Sequence, residues 1–194
     1  MKKIFLVLLL FNLNFTHVFA VEPDVFVQST VNRASEILTK NIPQEEKISK
    51  LKEIAKETVD IRGVGFYSLG VNRKNLNEEQ KTQYFKLFEA YFLKSFSSRL
   101  SEYTNPEIDV LSKKVLSDNY TIVNSVLRGT AERPEVKIDW RIYTKNENNP
   151  LIRDLIIEGL SLARTQKEEF ASILNSNNGD INSLFESLEK FSTN

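Results

Sequence analysis

The chain has no cysteine among its 194 residues. No disulfide can staple it, no thiolate can serve as a nucleophile, and a cysteine-linked lipid anchor is not expected. Histidine occurs once, at His17, inside an N-terminal segment that reads as an export signal. Once that segment is removed, Ser-His-Asp triads and zinc sites built on His or Cys are excluded. Neither sign of charge is in excess, with 26 Lys+Arg against 26 Asp+Glu. There is accordingly no basic field for nucleic acid and no polybasic patch for anionic lipid. A phosphate-binding glycine loop is also lacking, because Gly63, Gly65 and Arg128-Gly129-Thr130 have no strand–glycine-rich–helix context. Chemistry is left to carboxylates, Lys, Tyr and Ser. No spacing among Asp109, Asp118, Asp139, Asp154 and Glu158 selects a pair for glycoside hydrolysis. They read as solvated charges, Asp154 as one half of a surface salt bridge. No enzyme and no cofactor are expected.

The export signal is residues 1–20. Lys2 and Lys3 form the positive end and Ile4 to Phe15 the apolar stretch. That stretch is shorter than the roughly 20 residues a membrane span needs. Val18-Phe19-Ala20 suits cleavage after Ala20. Residues 21–194 then form one domain, long enough to bury a sizeable core. Without Lys2 and Lys3, 24 basic residues face 26 acidic ones, a formal charge of −2.

Helical spacing of apolar residues marks Asp24 to Lys40 (Val27, Val31, Ala34, Leu38) and a helix opening at Pro43 (Ile48, Leu51, Ile54, Ala55). A segment from Val59 to Gly70 follows, in which Gly63 and Gly65 weaken helix formation. Asn77 and Gln80 make a capping box for a long helix over Glu78 to Tyr103. Its Tyr84, Phe85, Leu87, Phe88, Tyr91, Phe92 and Phe96 cover roughly half the circumference, with Leu93 outside the arc. So wide an arc suits a central helix touching several neighbours, part of it facing a cavity.

From Glu107 the period becomes two. Ile108 to Ser117, Tyr120 to Thr130, Glu135 to Tyr143 and Leu151 to Glu158 read as four strands joined by short turns. In the third, Val136, Ile138, Trp140 and Ile142 share one face, and Lys137, Asp139, Arg141 and Tyr143 the other. That is an antiparallel sheet covered on one side. Ser161 to Ser176 is a helix with Leu162, Phe170, Ile173 and Leu174 as its apolar positions. Gly179 ends it, and Asp180 caps a last helix carrying Ile181, Leu184, Phe185 and Leu188. The class is α+β: helices, about four strands, helices.

The stretch Asp154 to Leu174, DLIIEGLSLARTQKEEFASIL, resembles the C-terminal signature of the MlaC family, also called the toluene-tolerance auxiliary family. Val59, Asp60, Leu69 and Gly70 fit that family's VDF…VLG segment, which implies a short helix closed by a glycine, and Glu79-Gln80 with Phe85 and Phe88 fit its EQ…F…F pattern. The chain departs at Leu151 to Leu155, which lack the family's Trp and Tyr, and at Gln166-Lys167, where a Tyr-Arg pair is usual. The resemblance implies a twisted, NTF2-like roll wrapped by helices around an apolar lipid cavity. It also implies a monomeric periplasmic phospholipid carrier. The partners implied are an inner-membrane ABC transporter complex, met through its hexameric substrate-binding component, and an outer-membrane lipoprotein–porin complex. Acyl chains are then expected between Val136, Ile138, Trp140 and Ile142 of the sheet and Phe85, Phe88 and Phe92 of the helix, with Phe66, Tyr67 and Leu160 as further wall residues. The other readings are a carrier of another apolar ligand, such as a hopanoid-type lipid, and a periplasmic interaction module whose interior is solid core.

Overall fold

The computed structural model describes residues 20–131 and 133–193. The expected export signal lies outside the described residues except for Ala20, and so do Glu132 and Asn194. Six helices and five strands follow in the order α1 Pro23–Thr39, α2 Gln44–Thr58, α3 Ile61–Ser68, α4 Glu78–Ser101, β1 Ile108–Ser117, β2 Tyr120–Leu127, β3 Val136–Tyr143, β4 Leu151–Ile157, β5 Leu160–Ser161, α5 Leu162–Ser176 and α6 Ile181–Thr193. A 3₁₀ turn at Gly70–Lys74 joins α3 to the approach of α4.

The sheet is an antiparallel meander, β1-β2-β3-β4-β5. It has one strand more than expected, because Glu158 and Gly159 make a two-residue turn that folds Leu160-Ser161 back onto β4. Both turn residues have positive φ (49° and 82°), the handedness that matches the twist of the flanking strands. Ser161 then caps α5, its side chain accepting from Arg164 N.

Alternation places the core face as expected on β3: Ile138, Trp140 and Ile142 are buried and Lys137 is exposed. They sit opposite Ser125, Val123 and Thr121 of β2, all buried. On β4 the register shifts by one residue between Arg141 and Ile142, leaving Arg153 as the unpaired residue of a bulge. Ile142 therefore faces Ile152 and Trp140 faces Leu155, with two charged residues between those apolar positions.

α4 is the central helix. Asn77 accepts from Gln80 N (2.8 Å) while Gln80 Oε1 accepts from Asn77 N (3.0 Å), completing the capping box. α2, α3 and α6 all pack on it. That is why Leu93, outside the aromatic arc, is nonetheless only 6% exposed. The Val59–Gly70 segment is helical despite its two glycines. A Cβ on Gly65 would lie 2.8 Å from Phe88 Cδ1, so the missing side chain is what lets α3 approach α4. Tyr84 seals this crossing by donating to the Gly65 carbonyl (2.9 Å). Asp60 caps α3 by accepting from Gly63 N. In α5 the buried first-turn residue is Ala163, while Leu162 is exposed. α6 buries Ile181, Leu184, Phe185 and Leu188, as its spacing requires.

The sheet edges differ. β4 is covered by β5 and by a parallel bridge from Val59 to Ile152. β1 is an edge strand, guarded along its first half by α1: Val110 N donates to Gln28 Oε1, and Lys113 pairs with Glu22 and Asp24.

Candidate functional site

The helices do not fill the concave side of the sheet. Two adjoining cavities remain, of about 170 Å³ and 130 Å³. The first lies between α4, α5 and the sheet, with Val64, Phe88 and Trp140 among its inner walls. Its rim is formed by Ser95 and Arg99 of α4 and by Thr165, Gln166 and Glu169 of α5. The second lies under α1 and α2, against Ile138, Leu127 and Ile157. Phe96, Trp140, Ile152 and Leu155 line both, and so form the partition.

The second cavity presents carbon almost throughout. Three of its four hydroxyls are turned onto backbone carbonyls, Thr30 onto Phe26, Ser35 onto Pro106 and Thr58 onto Ile54; the fourth belongs to Tyr103. An apolar space of this kind favours hydrocarbon over water. The partition has one fixed and one looser member. Trp140 Nε1 donates to Ser125 Oγ (2.8 Å), which in turn donates to Ile138 O (3.0 Å), so the indole is pinned. Phe96 is only partly buried and is held by stacking on Phe92 at 5.6 Å.

One end of the first cavity is polar. Asp154 is 6% exposed, not the surface charge its sequence context suggests. Its carboxylate accepts from Ser161 Oγ (2.6 Å) and Ala163 N (3.0 Å), with Arg141 NH1 at 3.9 Å. It thus ties β4 to the first turn of α5, where the helix dipole also favours a negative charge. The bulge residue Arg153 reaches Asp60 (2.6 Å) and Tyr120 Oη (2.5 Å) and stacks over Tyr143 at 3.7 Å. The capping residues of α3 and α5 are therefore both held from β4. Asp154→Ala is expected to cost about 3 kcal/mol in urea unfolding, because it orphans a buried N–H and leaves Arg141 without its counter-charge. A loss under about 1 kcal/mol would return Asp154 to the status of a surface charge.

Of the residues expected at the site, Phe88, Phe92 and Trp140 line the first cavity, and Ile138 and Trp140 the second. Val136 is partly buried and Ile142 fully buried, and neither lines a cavity. Phe66 and Phe85 pack edge-to-face on each other at 4.6 Å beneath the Arg62 guanidinium, away from both cavities. Tyr67 lies in a separate cleft with Tyr120, Arg141 and Arg153, and Lys167 Nζ sits 5.4 Å from its ring. Lys167 is therefore not at the cavity rim. Leu160 is 59% exposed on the β4–β5 hairpin and lines neither cavity. Sequence reasoning missed Phe96 as a wall, although it continues the aromatic arc. It also missed Ile152 and Leu155, whose spacing of three hides their common face. Nothing in the sequence singles out Arg99 or Glu169.

Burial pushes the Tyr84 phenol far above its ordinary range, and its proton is committed to the Gly65 carbonyl. Among the described residues no group of three or more His, Cys, Asp or Glu could hold a metal ion, and no helix is long and apolar enough to cross a membrane.

The family model described as MlaC protein matches residues 28–190. No curated protein matches the chain. Among solved structures, the chain is similar to a phospholipid-binding protein from Ralstonia solanacearum in complex with a phospholipid, with a TM-score of 0.74. The two are 18% identical, and the match covers 89% of this chain and 98% of that one.

Proposed function

The chain belongs to the MlaC protein family, and from that membership we propose that it carries phospholipid, the acyl chains lying in the two cavities and the headgroup at the rim. The observation that carries this reading is the pair of adjoining cavities, one lined almost wholly by carbon and the other bordered by polar residues of α4 and α5. The physical need is plain. Each methylene brought into water costs about 0.8 kcal/mol, so a chain of ~16 carbons costs on the order of 12 kcal/mol. A soluble protein that moves lipid must enclose that surface. The solved relative described as complexed with a phospholipid supports the same assignment.

The carrier works in the periplasm after cleavage behind Ala20, as one domain spanning residues 21–194. It acts as a monomer and catalyses no reaction. It exchanges lipid with an inner-membrane ABC transporter complex through the hexameric substrate-binding component, and with an outer-membrane lipoprotein–porin complex.

The test is native mass spectrometry of protein that has been stripped of lipid and then exposed to phospholipid vesicles. A mass increment equal to a phospholipid is expected. A homogeneous protein with no adduct would overturn the reading.

A further inference from the structure

We propose that the cavity rim selects zwitterionic headgroups, Arg99 taking the phosphate and Glu169 the ammonium. This rests on the carrier reading and extends it to headgroup class. Four charged residues line the first cavity: Arg99, Arg153, Asp154 and Glu169. Arg153 and Asp154 are engaged with Asp60, Tyr120, Ser161, Ala163 and Arg141. Arg99 has no hydrogen-bond or ion-pair partner among the described residues, although it stands in the last turn of α4 facing α5. The helix dipole accounts for a cation there, but not for an unpaired guanidinium lining a largely apolar space.

Glu169 stands across the gap and is held in place. Tyr91 Oη donates to Gln166 Oε1 (2.7 Å), and Gln166 Nε2 donates to Glu169 Oε2 (3.0 Å), a chain running from the cavity wall to the rim. Both charges act on the same phenol. Burial raises Tyr91 most, Glu169 raises it further, and Arg99 works in the opposite direction. The two groups thus line one cavity, and no ion pair joins them. A phosphate and an ammonium joined by a two-carbon bridge would satisfy both at once. Guanidinium donors suit phosphate oxygens, and a carboxylate suits an ammonium. An anionic headgroup would satisfy Arg99 and be repelled by Glu169.

The experiment exposes stripped protein to vesicles of equal phosphatidylethanolamine and phosphatidylglycerol with identical chains. A parallel arm uses diacylglycerol with the same chains. Lipid is extracted and quantified by mass spectrometry. The wild type is expected to enrich phosphatidylethanolamine about fivefold, the scale of one partly exposed ion pair. Glu169→Lys should reverse the preference. Arg99→Gln should lower uptake of both phospholipids and leave diacylglycerol unchanged. Identical ratios in wild type and Glu169→Lys, or equal losses of all three lipids in Arg99→Gln, would overturn the proposal. Uptake of none of the lipids by the wild type would overturn the carrier reading itself, and the proposal with it. Both positions are solvent-facing, so thermal melts matching the wild type are expected for both variants.

Discussion

Leu155→Asp is expected to reduce phospholipid uptake about a thousandfold while the protein stays folded. Leu155 lines both cavities and is only partly buried. In the lipid-free protein the new carboxylate keeps contact with water through the rim. Against an acyl chain it loses that water and gains no partner. A penalty of about 4 kcal/mol, modest for an unpaired charge among hydrocarbon, is a factor of roughly 10³. Ile142→Asp is the control. Ile142 is fully buried and lines neither cavity, so the same carboxylate there should unfold the protein. Circular dichroism melts and vesicle extraction read the two effects separately. If Leu155→Asp unfolds as readily as Ile142→Asp, the interior is solid core. If it folds and still takes up lipid, the chains lie elsewhere.

Phe88→Ala is expected to cost about 3–5 kcal/mol of stability, a large share of the roughly 5–15 kcal/mol typical of a domain. The ring is 1% exposed and sits where three helices meet. Tyr84 stacks on it at 5.6 Å, Phe92 at 6.1 Å, and Phe170 meets it edge-on at 6.1 Å. Gly65 leaves it room on the α3 side. Phe92 borders the same cavity but is only partly buried and stacks on Phe96. Phe92→Ala should cost under about 2 kcal/mol and act mainly on uptake. Urea unfolding of the pair separates a pillar from a wall. Equal losses in the two variants would contradict that division.

The parts of this fold legible in the sequence are those decided locally. The capping box at Asn77 and Gln80, the alternation of β3 and the spacing of α6 each involve neighbours a few residues apart, and each is realised. The α3 segment was legible only through the family resemblance, which implies a short helix closed by a glycine. Two glycines argue against a helix on propensity, and only the contact between Gly65 and Phe88, 23 positions away in sequence, shows what a glycine gains there. Asp154 reads as a surface charge because its partners Ser161 and Ala163 come to it only through the β4–β5 hairpin. That hairpin also carries Leu160 out into solvent. Alternation tells which face of β3 is apolar. It does not tell where the helices leave a gap above it, so Trp140 and Ile138 border open space while Ile142, on the same face, is packed solid. The rim charges depend on how α4 and α5 lie side by side, and no single segment records that.

The bulge at Arg153 also bears on how faithfully the chain folds. A strand of regular alternation can slide along its neighbour in steps of two and still bury carbon, and such slippage is a route to misfolded and aggregated species. β4 has no such freedom. Ile152 and Leu155 are three apart, so only a pairing that accommodates one extra residue between them puts both under the helices. In a bulge-free register that keeps Ile152 inward, Asp154 would follow it into the apolar interior. One further step would bring Arg153 there instead. Either is an unpaired ion among hydrocarbon, several kcal/mol uphill. The same two charges that anchor α3 and α5 in the finished protein would thus reject the competing registers while the sheet is still assembling.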